Sequence, residues 1–375
     1  MIAAALSFDF TNGFHDTANA MATTIATGAL APKAAVTVAA ILNFVGAFIS
    51  LEVAATVAGG IVDADVVTPA VVFGGLVGAI AWNLATWWFG LPSSSSHALI
   101  GGIVGATVVA AGGGSIDGEG IVSKVIVPAV TSPVVAGLVA AVGVLLVYRL
   151  IRSSRPDRAE REFRWGQVAS SSMVALAHGT NDAQKTMGVI SLALVANGNI
   201  SSGSDFAVPD WVVISCATAI AAGTYVGGWR IIKTLGTRVV EVRPPQGFGS
   251  EAVAATVILA SSHVGYPVST TQVVSGAVAG SGVGRPGAVV NWAVVRRVVY
   301  GWLLTLPAAA TVGGVVYLVI DALGGGAAGV VAVSAVAVAG CVALWRANRA
   351  NAVVPTETIS KHPTFGPSAP AEAAA

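Results

Sequence analysis

Charged side chains are scarce in this sequence. Of its 375 residues, 19 are Lys or Arg and 18 are Asp or Glu, so 10% are charged and 55% are hydrophobic. Soluble domains carry charge on about 25% of their residues, so a globule of this size lacks the polar surface that water requires. We therefore predict an all-α polytopic membrane protein. The net charge of +1 argues against nucleic acid as a partner.

Cysteine is scarce as well. Cys216 and Cys341 are the only two, and both lie within apolar runs, so neither a disulfide framework nor a cysteine-ligated metal is expected. Glycine is abundant instead, with 45 residues, and small residues let transmembrane helices approach one another closely. The sequence thus predicts a tightly packed helical bundle, and no motif in it implies a cofactor.

Several apolar stretches are long enough to cross a bilayer, which takes roughly 20 residues. They cover residues 34–59, 125–148, 165–197, 211–229, 298–320 and 327–345. Between them, basic residues cluster at 149–164 and 230–243, whereas acidic residues lie at 63–65 and 205–210. The positive-inside rule assigns the basic segments to the cytoplasm and the acidic ones to the outside.

Two further apolar segments begin and end on the same side. Residues 65–117 run between external loops and are interrupted by the sequence PSSSSH at 92–97. Residues 243–285 run between cytoplasmic loops and are interrupted by PVSTTQ at 267–272. Polar tips are tolerated at membrane depth only where they line a cavity. We predict two polar-tipped hairpins, each either a re-entrant loop or a pair of crossings.

The chain contains an internal repeat. GFHDTAN at 13–19 matches GTNDAQK at 179–185 without a gap, and in both halves a hairpin and a Pro-containing helix follow. Because charge places the two motifs in helices of opposite direction, we predict an inverted-topology repeat with broken helices, the architecture of secondary transporters. The predicted boundaries are a first repeat at 1–148, an Arg-rich cytoplasmic linker at 149–164, a second repeat at 165–345 and a disordered cytoplasmic tail at 346–375.

Asp16 and Asp182, which the repeat aligns, are the first candidates for a binding site. A carboxylate inside an apolar span costs several kcal/mol unless it is paired, solvated or protonated, and is functional by default. Gly13 and Gly179 precede them by three residues and are expected to break or kink the helices. A structural salt bridge between Asp182 and Lys185 would explain one aspartate but not the repetition.

The hydroxyl groups of the two tips are candidate donors to an oxyanion. They belong to Ser93, Ser94, Ser95, Ser96, Ser269, Thr270 and Thr271. Each group follows a proline, so it can begin a helix whose first N–H groups and positive dipole end bind an anion. The alternative is that these hydroxyls donate to nearby helix carbonyls.

Four of the five histidines lie in or beside these motifs: His15, His97, His178 and His263. Neither an HExxH motif nor a cysteine accompanies them, so hydrogen bonding or proton relay is favoured over a metal site. Glu52 and Glu251 lie near the ends of apolar stretches, and we interpret both as interfacial.

Four motifs occur together in a specific order: GFHDTANA at 13–20, LPSSSSH at 91–97, GTNDAQK at 179–185 and PVSTTQ at 267–272. They closely resemble the inorganic phosphate transporter (PiT) family over about residues 7–345. The resemblance implies phosphate bound between the two halves near Asp16, Asn19, Asn181, Asp182 and both tips. It also implies a homodimeric carrier, in a bacterial inner or plasma membrane.

The coupling ion is the next question. The family pattern has Gly-x-Asn-Asp in both halves, whereas His15 replaces the first Asn, a variant that looks like the bacterial low-affinity, proton-coupled branch. An anion entering against an inside-negative potential costs about 2.3 kcal/mol per charge per 100 mV, so a cation must accompany it. Asp16, His15 and Asp182 are the candidate proton-holding residues, and sodium symport is the alternative.

The substrate follows from hydrogen-bonding chemistry. At neutral pH phosphate still carries a proton that it can donate to Asp16 or Asp182, whereas sulfate does not. Phosphate, free or complexed with a metal, is therefore favoured over sulfate. An enzyme is not expected, because an intramembrane hydrolase would need a nucleophile with an oriented base, and adjacent Ser96 and His97 are the only candidates.

The segment before the first motif is short. Residues 1–11, at about 1.5 Å each, reach roughly 16 Å, or half of the hydrocarbon core. We therefore expect the natural start to lie upstream of Met1.

Overall fold

The computed structural model describes residues 1–59, 66–153, 156–201 and 207–359, and helices dominate these ranges. Within them, the only β-pairing is an isolated antiparallel bridge between Val240 and Val290. The predicted all-α fold is therefore confirmed for the described part of the chain. The bulk of the buried apolar side chains falls into two core clusters, one around Leu76 and Ile190 and one around Met21 and Ile258.

The helices of the first half are α1 (Ile2–Ala26), α2 (Pro32–Gly46), α3 (Glu52–Gly59), α4 (Pro69–Trp88), α5 (Ser95–Ala111), α6 (Gly118–Ile121) and α7 (Val127–Leu150). Those of the second half are α8 (Pro156–Ala196), α9 (Asp210–Val226), α10 (Trp229–Thr237), α11 (Pro244–His263), α12 (Thr270–Gly284), α13 (Trp292–Ala322) and α14 (Ala327–Ala350). Prolines begin α2, α4, α8 and α11, where their missing N–H costs no hydrogen bond.

Several helices are long and apolar enough to cross a membrane. Among the described residues they are Pro69–Trp88, Gly118–Ser153, Trp292–Ala322 and Ala327–Arg349. A further pair, α9 and α10, would qualify as one span but bends by 66° between its two parts. Few side chains of α7 and α14 are buried, and most of the exposed ones are apolar, such as Leu138 and Val331. The molecule is a membrane protein whose outer helices expose apolar side chains to lipid.

The helix boundaries differ from the predicted ones in several places. The stretch predicted at 34–59 divides into α2 and α3, and α8 begins at Pro156, well before 165. Most of the predicted Arg-rich linker therefore belongs to the first turns of α8. Helix α14 continues to Ala350 and a 3-10 turn covers Pro355–Thr358. The acidic positions 63, 65 and 205, Arg155 and the tail from 360 lie outside the described residues.

Gly13 and Gly179 do not break their helices, so the expectation of a break was wrong. Helices α1 and α8 continue through them. A Cβ on Gly13 would lie 2.2 Å from the carbonyl oxygen of Ile220 in α9, and a Cβ on Gly179 would lie 2.2 Å from that of Asn43 in α2. Glycine is required because two helix backbones touch at each point. These crossings hold the following aspartates in the middle of the bundle.

Helices of the two halves exchange partners. Helix α1 packs along α9 and α10, while α8 packs along α2 and α3. In the same way α13 packs against α4 and α5, while α7 packs against α11 and α12. The beginnings of α5 and α12 thereby meet the middles of α1 and α8.

Candidate functional site

The two aligned aspartates meet at the centre of the molecule. Asp16 and Asp182 are 1% and 0% exposed, although they are 166 positions apart in sequence. The hydroxyl Oγ1 of Thr270 lies 3.2 Å from Oδ2 of each. Because one hydroxyl donates one proton, Thr270 serves either carboxylate but not both at once. The structure therefore brings these two predicted site residues together, as expected from the repeat.

The beginning of α12 supplies the donors to Asp16. Thr271 Oγ1 lies 3.1 Å from Asp16 Oδ1 and accepts a hydrogen bond of 2.9 Å from Asn19 Nδ2. Ser269 is the N-cap of α12, and its hydroxyl accepts from the Gln272 N–H at 3.3 Å. Ser269 therefore stabilises the helix start, whereas Thr270 and Thr271 face the site.

The beginning of α5 approaches from the other side and makes different contacts. Ser93 donates to Thr86 at 2.8 Å, and Ser94 is the N-cap that accepts from the His97 N–H at 3.1 Å. Ser96 Oγ lies 2.6 Å from the ammonium of Lys185. The hydroxyl of Ser95 is buried and has no hydrogen-bond partner among the described residues. The first tip thus reaches Asp182 through Lys185, and Asp16 through His15, whose Nε2 lies 3.4 Å from Ser93 Oγ.

Lys185 was not predicted as a site residue, apart from its salt bridge with Asp182. That ion pair is present, with Nζ 2.5 Å from Asp182 Oδ1. The same ammonium donates to Ser96 at 2.6 Å and to the carbonyl oxygen of Val268 at 2.8 Å. Lys185 therefore links both tips to an aspartate. The signal in the sequence was its position three residues after Asp182, on the same helix face.

Two histidines contact the aspartates. His15 lies with Nδ1 2.9 Å from Asp16 Oδ1 and Nε2 3.2 Å from Thr86 Oγ1. His178 lies with Nε2 3.1 Å from Asp182 Oδ2 and 3.7 Å from Asp16 Oδ2. The ligand atoms of Asp16, His178 and Asp182 all lie within 4.8 Å of one another. This group is compact enough to share a proton or to hold one small cation.

The two asparagines implied by the resemblance also lie at the centre. Asn19 and Asn181 are 2% and 0% exposed, and Asn181 Nδ2 donates to Ser262 at 2.8 Å. The side-chain oxygens of both asparagines are buried without a partner within the described ranges. Since a buried unsatisfied acceptor is costly, these oxygens are sites where a ligand that donates hydrogen bonds, or a cation, would gain most.

Glu251 is buried, contrary to the interfacial position expected from the sequence. It was interpreted as interfacial, but it is 2% exposed because α11 packs against α8 and α1. Its carboxylate accepts hydrogen bonds from Thr23, from Thr24 at 2.8 Å, from Gln167 at 3.3 Å and from Ser170 at 2.6 Å. It is the only charged residue within 244–263, and that isolation was the available signal.

Asp9 is a second residue that the sequence analysis missed. It lies two helical turns before Asp16 and is 0% exposed. Neither carboxylate oxygen has a hydrogen-bond partner in the part of the chain that the structure describes, although Thr186 and Cys216 face it. The signal was a second acid, besides Asp16, in the apolar first helix.

The centre is closely packed. A crevice beside Ser96 and Lys185, also lined by Leu99 and Val189, has a volume of about 10 Å³, which is room for a single water molecule. Elsewhere the polar side chains contact one another directly. An anion the size of phosphate can bind here only if the tips separate.

A buried group of carboxylates, imidazoles, an ammonium and hydroxyls inside a bundle of apolar helices is typical of a membrane protein that handles a polar solute. The chain belongs to the family described as "Phosphate transporter family", whose profile matches residues 12–313. This confirms the resemblance seen in the motifs. The family and the relatives below are named as transporters, so the prediction that the chain is not an enzyme is also confirmed.

Similar proteins carry closely related names. A "Probable low-affinity inorganic phosphate transporter" of Mycobacterium tuberculosis is 59% identical over 325 residues, covering 87% of this chain and 78% of that one. Proteins with the same name in Mycobacterium leprae and Bacillus subtilis are 55% and 40% identical over 349 and 323 residues. These alignments cover 93% and 86% of this chain, and 84% and 96% of the relatives.

A solved structure has the same fold. The protein described as "The sodium-dependent phosphate transporter" superposes with a TM-score of 0.76 at 24% identity, over 85% of this chain and 98% of that chain. At this identity the likeness concerns the fold alone.

Proposed function

We propose that the protein imports inorganic phosphate across the cell membrane by symport with protons, alternating access around the central site. The observation that carries the proposal is the convergence of the Lys185 ammonium and the beginnings of α5 and α12 on two buried aspartates. Helix beginnings and an ammonium are donors suited to a tetrahedral oxyanion. The names of the mycobacterial and Bacillus relatives support the same substrate.

The aspartates favour phosphate over sulfate. A protonated phosphate oxygen can donate to Asp16 or Asp182, whereas sulfate would meet their negative charge without a proton to share. The partnerless oxygens of Asn19 and Asn181 are further acceptors for such a donor. A sulfate permease, and transport of a metal–phosphate complex, are the alternatives that a competition assay separates.

Protons are favoured as the coupling ion. His15 contacts Asp16, and His178 lies near both aspartates, so a proton has imidazole and carboxylate positions at the centre of the bundle. Sodium, the alternative, would need a set of oxygen ligands, and the ammonium of Lys185 already contacts oxygens of both tips.

Alternating access would use the two-fold relation of the halves. Helices α1 and α7 pack against helices of the second half, and α8 and α13 pack against helices of the first half. This reciprocal packing supports an inverted repeat with the tips as opposing gates. The close packing of the centre implies that one tip withdraws when phosphate binds. The homodimer implied by the resemblance is part of the proposal and is measured by light scattering of the purified protein.

Uptake of radiolabelled phosphate into proteoliposomes tests the function. We expect saturable accumulation that an inward proton gradient drives without sodium and that a protonophore abolishes. Excess unlabelled sulfate should leave uptake unchanged. Uptake that follows sodium and ignores the protonophore would contradict proton coupling, competition by sulfate would contradict the substrate, and non-saturable flux would indicate a channel.

A further inference from the structure

The two halves differ at one position in the charge that they place beside the tips. Aligning Asp16 with Asp182 puts Asn19 opposite Lys185. Asn19 donates to Thr271 in the second tip, and its own side-chain oxygen has no partner among the described residues. Lys185 instead contributes a positive charge that contacts both tips. The repeat therefore pairs a neutral oxygen-bearing amide with a fixed cation.

The surroundings of the Lys185 ammonium are those of a bound cation. Nζ contacts three kinds of oxygen at 2.5 to 2.8 Å: the Asp182 carboxylate, the Ser96 hydroxyl and the Val268 carbonyl. Mixed carboxylate, side-chain and backbone oxygens are the ligands that hard metal cations prefer, and carrier proteins coordinate sodium with exposed backbone carbonyls beside broken helices. The three donors of an ammonium are all used here.

We propose that Lys185 is a built-in counter-cation that occupies the position of a mobile cation and makes the carrier independent of sodium. The inference rests on the proposed function. The Lys185 side chain is 3% exposed, and its ion pair with Asp182 offsets the cost of burying an ammonium. A tethered cation cannot be released with the substrate, so it balances charge without entering the transport stoichiometry.

The charges at the centre explain why a lysine at 185, where the first half has Asn19, would change the ion coupling of transport. Asp16 and Asp182 together carry two negative charges when ionised, and Lys185 cancels one of them. Without Lys185, the binding of an anionic phosphate would require one more positive charge at the site. An asparagine at 185 would offer a neutral amide oxygen, as Asn19 does in the first half, so the missing charge could come from a cation in solution.

The test compares the unsubstituted protein with Lys185→Asn, and with Lys33→Asn as a control that removes an exposed positive charge outside the site. In proteoliposomes with an inward proton gradient, we expect Lys185→Asn to lower sodium-free uptake at least about tenfold, the scale of one charged hydrogen bond. External sodium should restore that uptake severalfold in Lys185→Asn, and should change neither the wild type nor Lys33→Asn.

Thermal unfolding of the detergent-purified proteins gives a second readout that does not depend on transport. Titration with sodium chloride, with choline chloride as the ionic-strength control, should raise the melting temperature of Lys185→Asn but not of the wild type. A sodium-dependent shift in the wild type would overturn the proposal, even if no variant folds. A folded Lys185→Asn protein that neither binds nor responds to sodium would also overturn it.

The two proposals fail in different ways. If the wild type does not accumulate phosphate, the proposed function is wrong, while the melting shift still reports whether a cation site appears at 185. If the wild type transports phosphate with protons and Lys185→Asn keeps the sodium-free rate, the function stands and the role of Lys185 is wrong. Lys185→Gln, with a longer amide, repeats both measurements should Lys185→Asn not fold.

Discussion

The two halves of the molecule hold the same aspartate in the middle of a helix but give it different neighbours. Asp16 is bonded by Thr271 and by neutral or protonated imidazole, whereas Asp182 is paired with the ammonium of Lys185. The difference shows that the two carboxylates are not interchangeable, although the sequence repeat makes them equivalent. Asp182 has a permanent partner in charge, and Asp16 depends on groups that can move or lose a proton.

Histidine and asparagine are exchanged between the halves. At four positions before the aspartate the first half has Asn12 and the second has His178; one position before it, the first has His15 and the second has Asn181. Each half therefore keeps one imidazole and one amide near its aspartate. The contacts correspond as well, because His15 reaches the hydroxyl of Thr86 near the end of α4, and Asn181 reaches Ser262 near the end of α11.

Removing either aspartate charge should have the largest effect and should distinguish the halves. We expect Asp16→Asn and Asp182→Asn each to lower phosphate uptake at least tenfold, since a charge-assisted hydrogen bond is worth roughly 1.5 to 3 kcal/mol. Asp182→Asn should be the more severe, because it leaves the Lys185 ammonium buried without a counter-charge.

Uptake assays with equal amounts of inserted protein measure this difference, and Asp210→Asn, an exposed change in the first turn of α9, is the control. More than half of wild-type uptake in either central variant would contradict a shared site. Equal losses would show that Lys185 does not set the two aspartates apart.

Substitutions in the two tips should have the next largest effects on uptake, and these should differ from one tip to the other. Thr270 contacts both aspartates, whereas the Ser95 hydroxyl has no partner in the described structure. Thr270→Val should therefore lower uptake about tenfold, the scale of a lost hydrogen bond to a charged group, and Ser95→Ala only about twofold. A larger effect of Ser95→Ala than of Thr270→Val would reverse the assignment of the donors.

Cysteine labelling tests whether the tips close on the substrate. Because Cys341 is exposed and Cys216 is buried, the labelling background carries Cys341→Ser. In it, Ser95→Cys and Thr270→Cys should each lose reactivity toward a polar thiol reagent when phosphate is added. Access should be greater from outside for position 95 and from inside for position 270. Failure of phosphate to protect either one would mean that the tips line something else.

Much of this arrangement could be predicted from the sequence, and the exceptions have physical causes. Helical structure, both prolyl tips and both aspartates follow from composition, spacing and the repeat. The roles of Gly13 and Gly179 could not be predicted, because a glycine that permits two backbones to touch and a glycine that breaks a helix look alike in sequence. Lys185 was considered only as a structural partner of Asp182, because its contacts with the two tips depend on packing. Glu251 was missed because a charge near a span end is usually solvated, and only packing reveals that it is buried.

Glu251 distinguishes the second half from the first, which has no acidic residue at the corresponding position. It lies 16 residues before Pro267, and the residue 16 positions before Pro92 is Leu76, which is fully buried in the apolar core. Glu251→Gln should replace an acceptor of several hydrogen bonds by an amide, at a cost of about 1 to 3 kcal/mol. We expect a lower melting temperature and a severalfold loss of uptake.

The exposed Glu52 is the matched control, since Glu52→Gln makes the same chemical change where water solvates the side chain. If Glu251→Gln melts and transports like the wild type, the carboxylate of Glu251 contributes nothing to stability or uptake that the amide of the variant cannot supply.

A small effect on the rate of uptake should come from making the first motif resemble the second. His15→Asn gives both halves an asparagine immediately before the aspartate, and the shorter side chain cannot reach Asp16 and Thr86 together as the imidazole does. We expect uptake to remain within about threefold of the wild type, because Thr271 still donates a hydrogen bond to the Asp16 carboxylate. Because an amide cannot take up a proton as an imidazole can, the variant should lose pH dependence when uptake is measured at a constant proton gradient. His178, which keeps its own contacts with both aspartates, leaves part of that dependence in place. An unchanged pH profile would show that His15 only hydrogen-bonds its neighbours, and that the proton is held by the carboxylates or by His178.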